Sequence, residues 1–201
     1  MKDAYTNLRE HGWLHLRSVG AEKFHALTTS LGSVVHETDV VVKPDSGGLV
    51  TSAEPLDFHT DHSLVNYIAW LCIRPADKGG ETILANARDA FSLLDPVDQK
   101  VLETVMLKEH AMFENDPLQC PLVRSTSGVL KFYYSFWLVD KKLSSQQRQA
   151  FDSFRRAVSE ISCCEFKLRR DDVLIVNNSY ILHGRRAIKD PRRRLKRFWI
   201  R

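Results

Sequence analysis

Strand-length apolar runs dominate this chain, and they do not alternate with helices. The segments Val34 to Lys43, Val65 to Arg74, Glu81 to Asn86, Val173 to Asn177, Tyr180 to His183 and Leu195 to Ile200 are rich in β-branched, aliphatic and aromatic residues. Shorter runs at Gly12 to Arg17, Leu107 to Phe113, Pro121 to Arg124, Val129 to Phe136 and Glu165 to Leu168 read the same way. Turn-forming segments separate them: PDSGGL (44–49), ADKGG (76–80) and STSG (125–128). Four segments have helical periodicity: Ala21 to Leu31, Ala87 to Leu94, Pro96 to Met106 and Ser144 to Ile161. In the last, Ser144 and Gln147 form a capping box, and Phe151, Phe154, Val158 and Ile161 make an apolar stripe. Many short strands with a few covering helices predict a mostly β chain with flanking helices, a sandwich or jelly-roll barrel, and exclude a doubly wound sheet. The 201 residues suffice for one core and are short for two, so residues 1–201 are expected to form a single domain.

Composition narrows the function classes. No stretch reaches the roughly 18 to 20 apolar residues of a membrane span, so no membrane role is expected. MKDAYTNLREHGW has no apolar h-region, and Cys72, Cys120, Cys163 and Cys164 form no C-x-x-C pair. The expectation is a cytoplasmic protein whose thiols are free and serve as small buried hydrophobes. The net charge of +4 is concentrated late in the chain, in Arg169–Arg170, Arg185–Arg186 and DPRRRLKRFWIR (190–201). Such a patch suits either nucleic acid or an acidic small molecule.

The stretch LDFHTDHSLV (56–65) reads as strand and carries His59 and Asp61 at i and i+2. On a strand these side chains point to one face, so an imidazole and a carboxylate converge. His62 is odd-spaced and points away. His183, at the end of an apolar run, is the candidate third ligand. Two histidines and a carboxylate form the facial set that suits Fe(II), with open positions for a cosubstrate and O2. His11, His15, His25, His36 and His110 lie in ordinary surface or helix contexts. An iron oxygenase of this kind needs a cation for its keto-acid cosubstrate, and arginine pairs with both oxygens of a carboxylate. Arg193 and Arg197 would share a strand face, roughly 13 Å apart at about 3.3 Å per residue.

In these motifs the chain resembles the taurine dioxygenase/clavaminate synthase-like Fe(II)/2-oxoglutarate dioxygenases. HTD (59–61), KGGET (78–82), NNSYILHGR (177–185) and RRLKR (193–197) match the family's motifs in order, and GWLHL (12–16) with the helix ending at Leu31–Gly32 resembles its N-terminal segment. The resemblance implies a cupin-like double-stranded β-helix, with iron held by His59, Asp61 and His183. It places 2-oxoglutarate on Thr82 and Arg193, and the acidic group of a substrate on Arg197. It implies consumption of O2, release of succinate and CO2, and hydroxylation of an unactivated C–H bond; desaturation, epoxidation and cyclisation are open to the same oxidant. The implied partner is a small anionic or amino-acid-derived substrate of a biosynthetic pathway, with a homodimer compatible. Asp61 stands where related halogenases carry glycine or alanine. Nucleic-acid dealkylases share the H-x-D and distal histidine but carry two arginines separated by five residues. Here Arg192, Arg193 and Arg194 are followed six positions on by Phe198, Trp199 and Ile200, so no nucleic-acid partner is expected. KFYYSFW (131–137) reads as core. A non-catalytic binding module on the same fold and a zinc hydrolase remain the other classes; no general base is apparent for the latter.

Overall fold

The computed structural model describes residues 2–43, 47–126 and 128–201. In chain order the elements are α1 (Lys2–His11), β1 (Trp13–Leu16), α2 (Gly20–Leu31), β2 (Val34–Val41), β3 (Leu56–His59), β4 (Tyr67–Arg74), β5 (Thr82–Asn86), α3 (Ala87–Ser92), α4 (Pro96–Leu102), β6 (Met106–Lys108), β7 (Gln119–Pro121), β8 (Val123–Thr126), β9 (Val129–Phe132), α5 (Ser145–Glu160), β10 (Cys164–Phe166), β11 (Val173–Asn177), β12 (Ile181–Arg185) and β13 (Arg194–Ile200). Five strands form a major sheet in the order β1-β11-β4-β13-β2, and four form a minor sheet in the order β10-β5-β12-β3. All these pairings are antiparallel. The two sheets face each other as a jelly-roll barrel, as the strand pattern predicts. Two small hairpin-like pairs, β6-β7 and β8-β9, lie outside them.

The middle of the major sheet, at β4 and β11, is buried on both faces, which explains the unbroken apolar run of β4. Ile68, Trp70 and Cys72 point into the core between the sheets, with Leu174, Leu195 and Trp199 from the same sheet and Leu84 and Leu182 from the minor one. The alternate residues Ala69 and Leu71 point outward, where Leu8 of α1 and Phe24 and Leu27 of α2 cover them. Helix α5 starts at the expected capping box: the Gln147 amide donates to the Ser144 hydroxyl while the Gln147 side chain accepts from the Ser144 amide. Its stripe packs Phe154 against Phe132 and edge-on to Tyr134, with ring centroids 6.1 and 5.3 Å apart. Among the described residues no helix is long and apolar enough to cross a membrane.

Several local expectations are corrected. The strand through LDFHTDHSLV ends at His59, and Asp61 lies in the corner beyond it. The helix begun at Pro96 stops at Leu102 rather than Met106: the amides of Thr104 and Val105 bond the carbonyls three residues back, at Val101 and Leu102, in a tight turn that leads into β6. The strand expected over Leu107 to Phe113 survives only as Met106–Lys108. Past it, the carboxylates of Glu109 and Asp116 accept from the amides of His110, Met112 and Phe113, which a ladder would otherwise use. The strand at Val129 ends at Phe132, and Tyr133 then donates its amide to Leu122. Cys72 and Cys120 are buried as expected, whereas Cys163 and Cys164 are exposed. Residues 44–46 of the PDSGGL turn and Ser127 of STSG lie outside the described residues.

Phe154 is fully buried, so Phe154→Ala is expected to cost about 3–5 kcal/mol in urea unfolding. Ser144→Ala, which removes only the α5 cap, is expected to cost about 1 kcal/mol. Equal costs would contradict the packing described for α5.

Candidate active site

Strands β12 and β3 pair in register at His183 and His59, and this pairing sets the two imidazoles side by side with ring centroids 4.2 Å apart. The His59 Nδ1 lies 2.9 Å from the Asp57 carbonyl, which accepts its proton and leaves Nε2 to face the centre. Asp61 reaches the same point from the corner after β3. Its Oδ1 lies 3.6 Å from His59 Nε2 and 3.5 Å from His183 Nε2. The corner is held by Asn178: its Oδ1 accepts from the Asp61 amide, and its Nδ2 donates to the carbonyls of His62 and Val65. Thr60 adds two bonds with the Tyr134 backbone, its amide donating to that carbonyl and its hydroxyl accepting from that amide. Convergence therefore comes from a pinned corner, not from strand alternation. His62 does turn away, and its fully buried ring meets Asp116 at 3.0 Å.

The electrostatics of the three groups suit a divalent cation. Burial alone would push the Asp61 carboxyl up, but the Arg197 guanidinium and the adjacent imidazoles hold it well below the usual carboxylate range. Burial, with His59 beside it, lowers His183 to about 4, so its imidazole is neutral. One ligand atom from each of His59, Asp61 and His183 lies within 4.8 Å of the other two. Two imidazole nitrogens and one carboxylate oxygen on one side of an open point fit a six-coordinate first-row metal such as Fe(II). Trp137 and Trp70 flank the pair, with centroids 5.1 Å from the rings of His59 and His183 respectively.

The same cavity is lined by Thr82, Arg185, Arg193 and Arg197 with His59 and His183. Thr82 opens β5 and is buried facing inward. Arg193 is 5% exposed; its backbone amide donates to the Asp190 carbonyl, but its guanidinium has no hydrogen-bond or ion-pair partner among the described residues. Burial and the like charge of Arg185 lower its guanidinium to about 10, the signature of a buried cation that wants an anion. Gly80 gives it room: a Cβ there would sit 2.9 Å from Arg193 Cδ, on a backbone with φ of +73°. Sequence reasoning passed over Arg185, although it lies at i+2 from His183 and so on the same strand face. Its guanidinium donates to the carbonyls of Val50, Ser52 and Glu54 at 3.0, 2.7 and 2.9 Å, fastening the β2–β3 connection over the cavity. Arg197 shares the cavity, and its Nη1 donates to Asp61 Oδ2 at 2.9 Å. His36, set aside as structural, sits beside Trp199 with ring centroids 5.0 Å apart.

The comparisons with known proteins agree with this architecture. An asparagine oxygenase solved with Fe(II), 2S,3S-3-hydroxyasparagine and succinate superposes with a TM-score of 0.81 at 14% identity, covering 99% of this chain and 78% of that one. PvcB from Pseudomonas aeruginosa gives a TM-score of 0.72 at 18% identity, with 99% and 79% covered. The non-haem iron oxygenase OrfP, solved with Fe, succinate and (3S)-hydroxy-L-Arg, gives 0.74 at 15% identity, with 99% and 79% covered. At these identities the likeness establishes the fold. None of the curated proteins matches. The family model "Taurine catabolism dioxygenase TauD, TfdA family" matches residues 2–199, and the chain belongs to that family.

Proposed function

We propose that this protein is an Fe(II)/2-oxoglutarate-dependent dioxygenase that hydroxylates an unactivated C–H bond of a small amino-acid-derived substrate. The observation that carries the reading is one cavity holding both a His-Asp-His set and a buried guanidinium with no partner among the described residues. A metal site alone would not call for Arg193. His59, Asp61 and His183 would hold the iron, leaving its other positions to the keto-acid end of 2-oxoglutarate and to O2. When bound, the metal and cosubstrate supply the oxidising power: one O2 is consumed, 2-oxoglutarate becomes succinate and CO2, and one oxygen atom enters the substrate C–H bond.

The residues of the chain bind, orient and shield. Arg193 meets the far carboxylate of 2-oxoglutarate through its planar fork, and the Thr82 hydroxyl donates to the same group. Burial strengthens both contacts by excluding competing water. Arg185 keeps the β2–β3 connection closed over them. Arg197 spends Nη1 on Asp61, and the rest of its guanidinium offers the cavity a donor for an anionic substrate group such as an α-carboxylate. An amino-acid-like substrate agrees with the products bound to the asparagine oxygenase and to OrfP.

The direct test incubates the protein with Fe(II), 2-oxoglutarate and a panel of L-amino acids and their derivatives, following succinate and a product heavier by one oxygen atom. Stoichiometric formation of both with a panel member is expected. Absence of succinate under every condition would overturn the reading. Arg193→Leu is expected to weaken 2-oxoglutarate binding by about 10- to 150-fold, the equivalent of losing about 1.5–3 kcal/mol from hydrogen bonds to a charged group. Gly80→Ala should weaken it too, because the new methyl crowds Arg193 Cδ on a left-handed backbone. Unchanged 2-oxoglutarate affinity in Arg193→Leu would remove Arg193 from the cosubstrate site.

A further inference from the structure

The two oxygens of Asp61 have different surroundings. Oδ1 faces the Nε2 atoms of His59 and His183. Oδ2 accepts two hydrogen bonds from β13, one from Arg197 Nη1 at 2.9 Å and one from Trp199 Nε1 at 2.7 Å. An aspartate corner on a connection between strands has a free χ2 rotation by default, and a carboxylate beside a cation can present one oxygen or both. Here the second oxygen is already occupied.

Trp199 is itself held in place. Its indole is 5% exposed and is bordered by the rings of His36 at 5.0 Å, His62 at 6.0 Å and Phe113 at 6.3 Å between centroids. Phe113 belongs to the segment that the Asp116 carboxylate folds by accepting from the Met112 and Phe113 amides. Asp116 also bonds to His62, next in sequence to Asp61. The irregular segment after β6 thus backs the indole whose N–H rests on the carboxylate.

We propose that Trp199 and Arg197 are positioning residues that lock Asp61 as a one-oxygen ligand, so that the metal keeps its remaining positions open for cosubstrate and O2. The proposal rests on the iron site described above and goes beyond it in assigning Trp199 and the bracing role of Phe113. Of the two donors, Trp199 is neutral and lies outside the cavity lining, so its role is separable from substrate binding.

The test is a titration of the metal-free protein with Mn(II), following the loss of the free-ion EPR signal, for the wild type, His59→Ala and Trp199→Phe. Metal-free melting temperatures are measured alongside. Trp199→Phe keeps the ring and deletes only the N–H. It is expected to weaken Mn(II) binding by roughly 10- to 100-fold, the usual cost of losing a partner that orients a metal ligand, with the metal-free melting temperature little changed. Binding within about threefold of wild type would overturn the proposal, because a lost orienting partner should cost far more. Should Trp199→Phe fail to fold, Arg197→Met examines the same oxygen from its other donor, and undiminished Mn(II) affinity there overturns the proposal equally. A wild type that binds no Mn(II), or binds it no better than His59→Ala, would overturn the metal site and the proposal together. A wild type that binds tightly beside an equally tight Trp199→Phe would overturn the proposal alone.

Discussion

The Asp61 carboxylate sits on the seam between the two sheets. Through Oδ1 it meets His59 and His183 of the minor sheet, and through Oδ2 it meets Arg197 and Trp199 of the major sheet. A buried carboxylate is costly unless its charge is paired and its lone pairs are filled. Both conditions are met only when the sheets stand at their observed separation, with the corner after β3 held by Asn178 from the β11–β12 connection. The packing of the barrel and the geometry of the candidate metal site are therefore one constraint. A shift of one sheet against the other would strand a charge as well as scatter the ligands.

The neighbouring anion pocket follows a complementary rule. Of the three guanidiniums that line the cavity, Arg185 and Arg193 differ sharply in their partners. Arg185 is consumed by three backbone carbonyls, a structural use of a cation that closes the connection above the site. Arg193 is left with an unmet demand for negative charge. Among the described residues no protein group supplies that charge; on the proposed reading a ligand supplies it, and Thr82 lines the same cavity.

Much of this was legible in the sequence where local pattern and final environment agree. The apolar runs at Val173 and Leu195 became β11 and β13, and the capping box at Ser144 opened α5 as read. The helix α1 was not anticipated, because Lys2–His11 carries little apolar surface and Leu8 alone of its described residues is buried. His59, Asp61 and His183 were nominated together, and the structure brings them together, but by a different device. Alternation along a strand was invoked, whereas the chain leaves the strand at His59 and a buried asparagine 117 residues away fixes the corner. No short-range pattern encodes that bond. The Glu109–Asp116 segment is a different case: its strand-like residues are overruled by carboxylates only one to four residues away that compete for the backbone amides, a local signal the strand reading missed. Arg185 and Trp199 were within reach, since each sits at i+2 from a nominated residue, His183 and Arg197. What hid them was the absence of any visible partner: three loop carbonyls in one case and the far oxygen of Asp61 in the other. KFYYSFW, read as core, is core at Phe132, Tyr133 and Tyr134, whereas Trp137 is set against His59.

The proposed function requires iron and the keto acid to assemble on His59, Asp61 and His183. Anaerobic visible absorption of the metal-free protein, recorded as Fe(II) and then 2-oxoglutarate are added, reads this without a substrate. A weak charge-transfer band that needs both additions, saturates at one equivalent and is lost in His59→Ala is the predicted result. No band with iron and 2-oxoglutarate in excess, or a band of equal strength in His59→Ala, would contradict it.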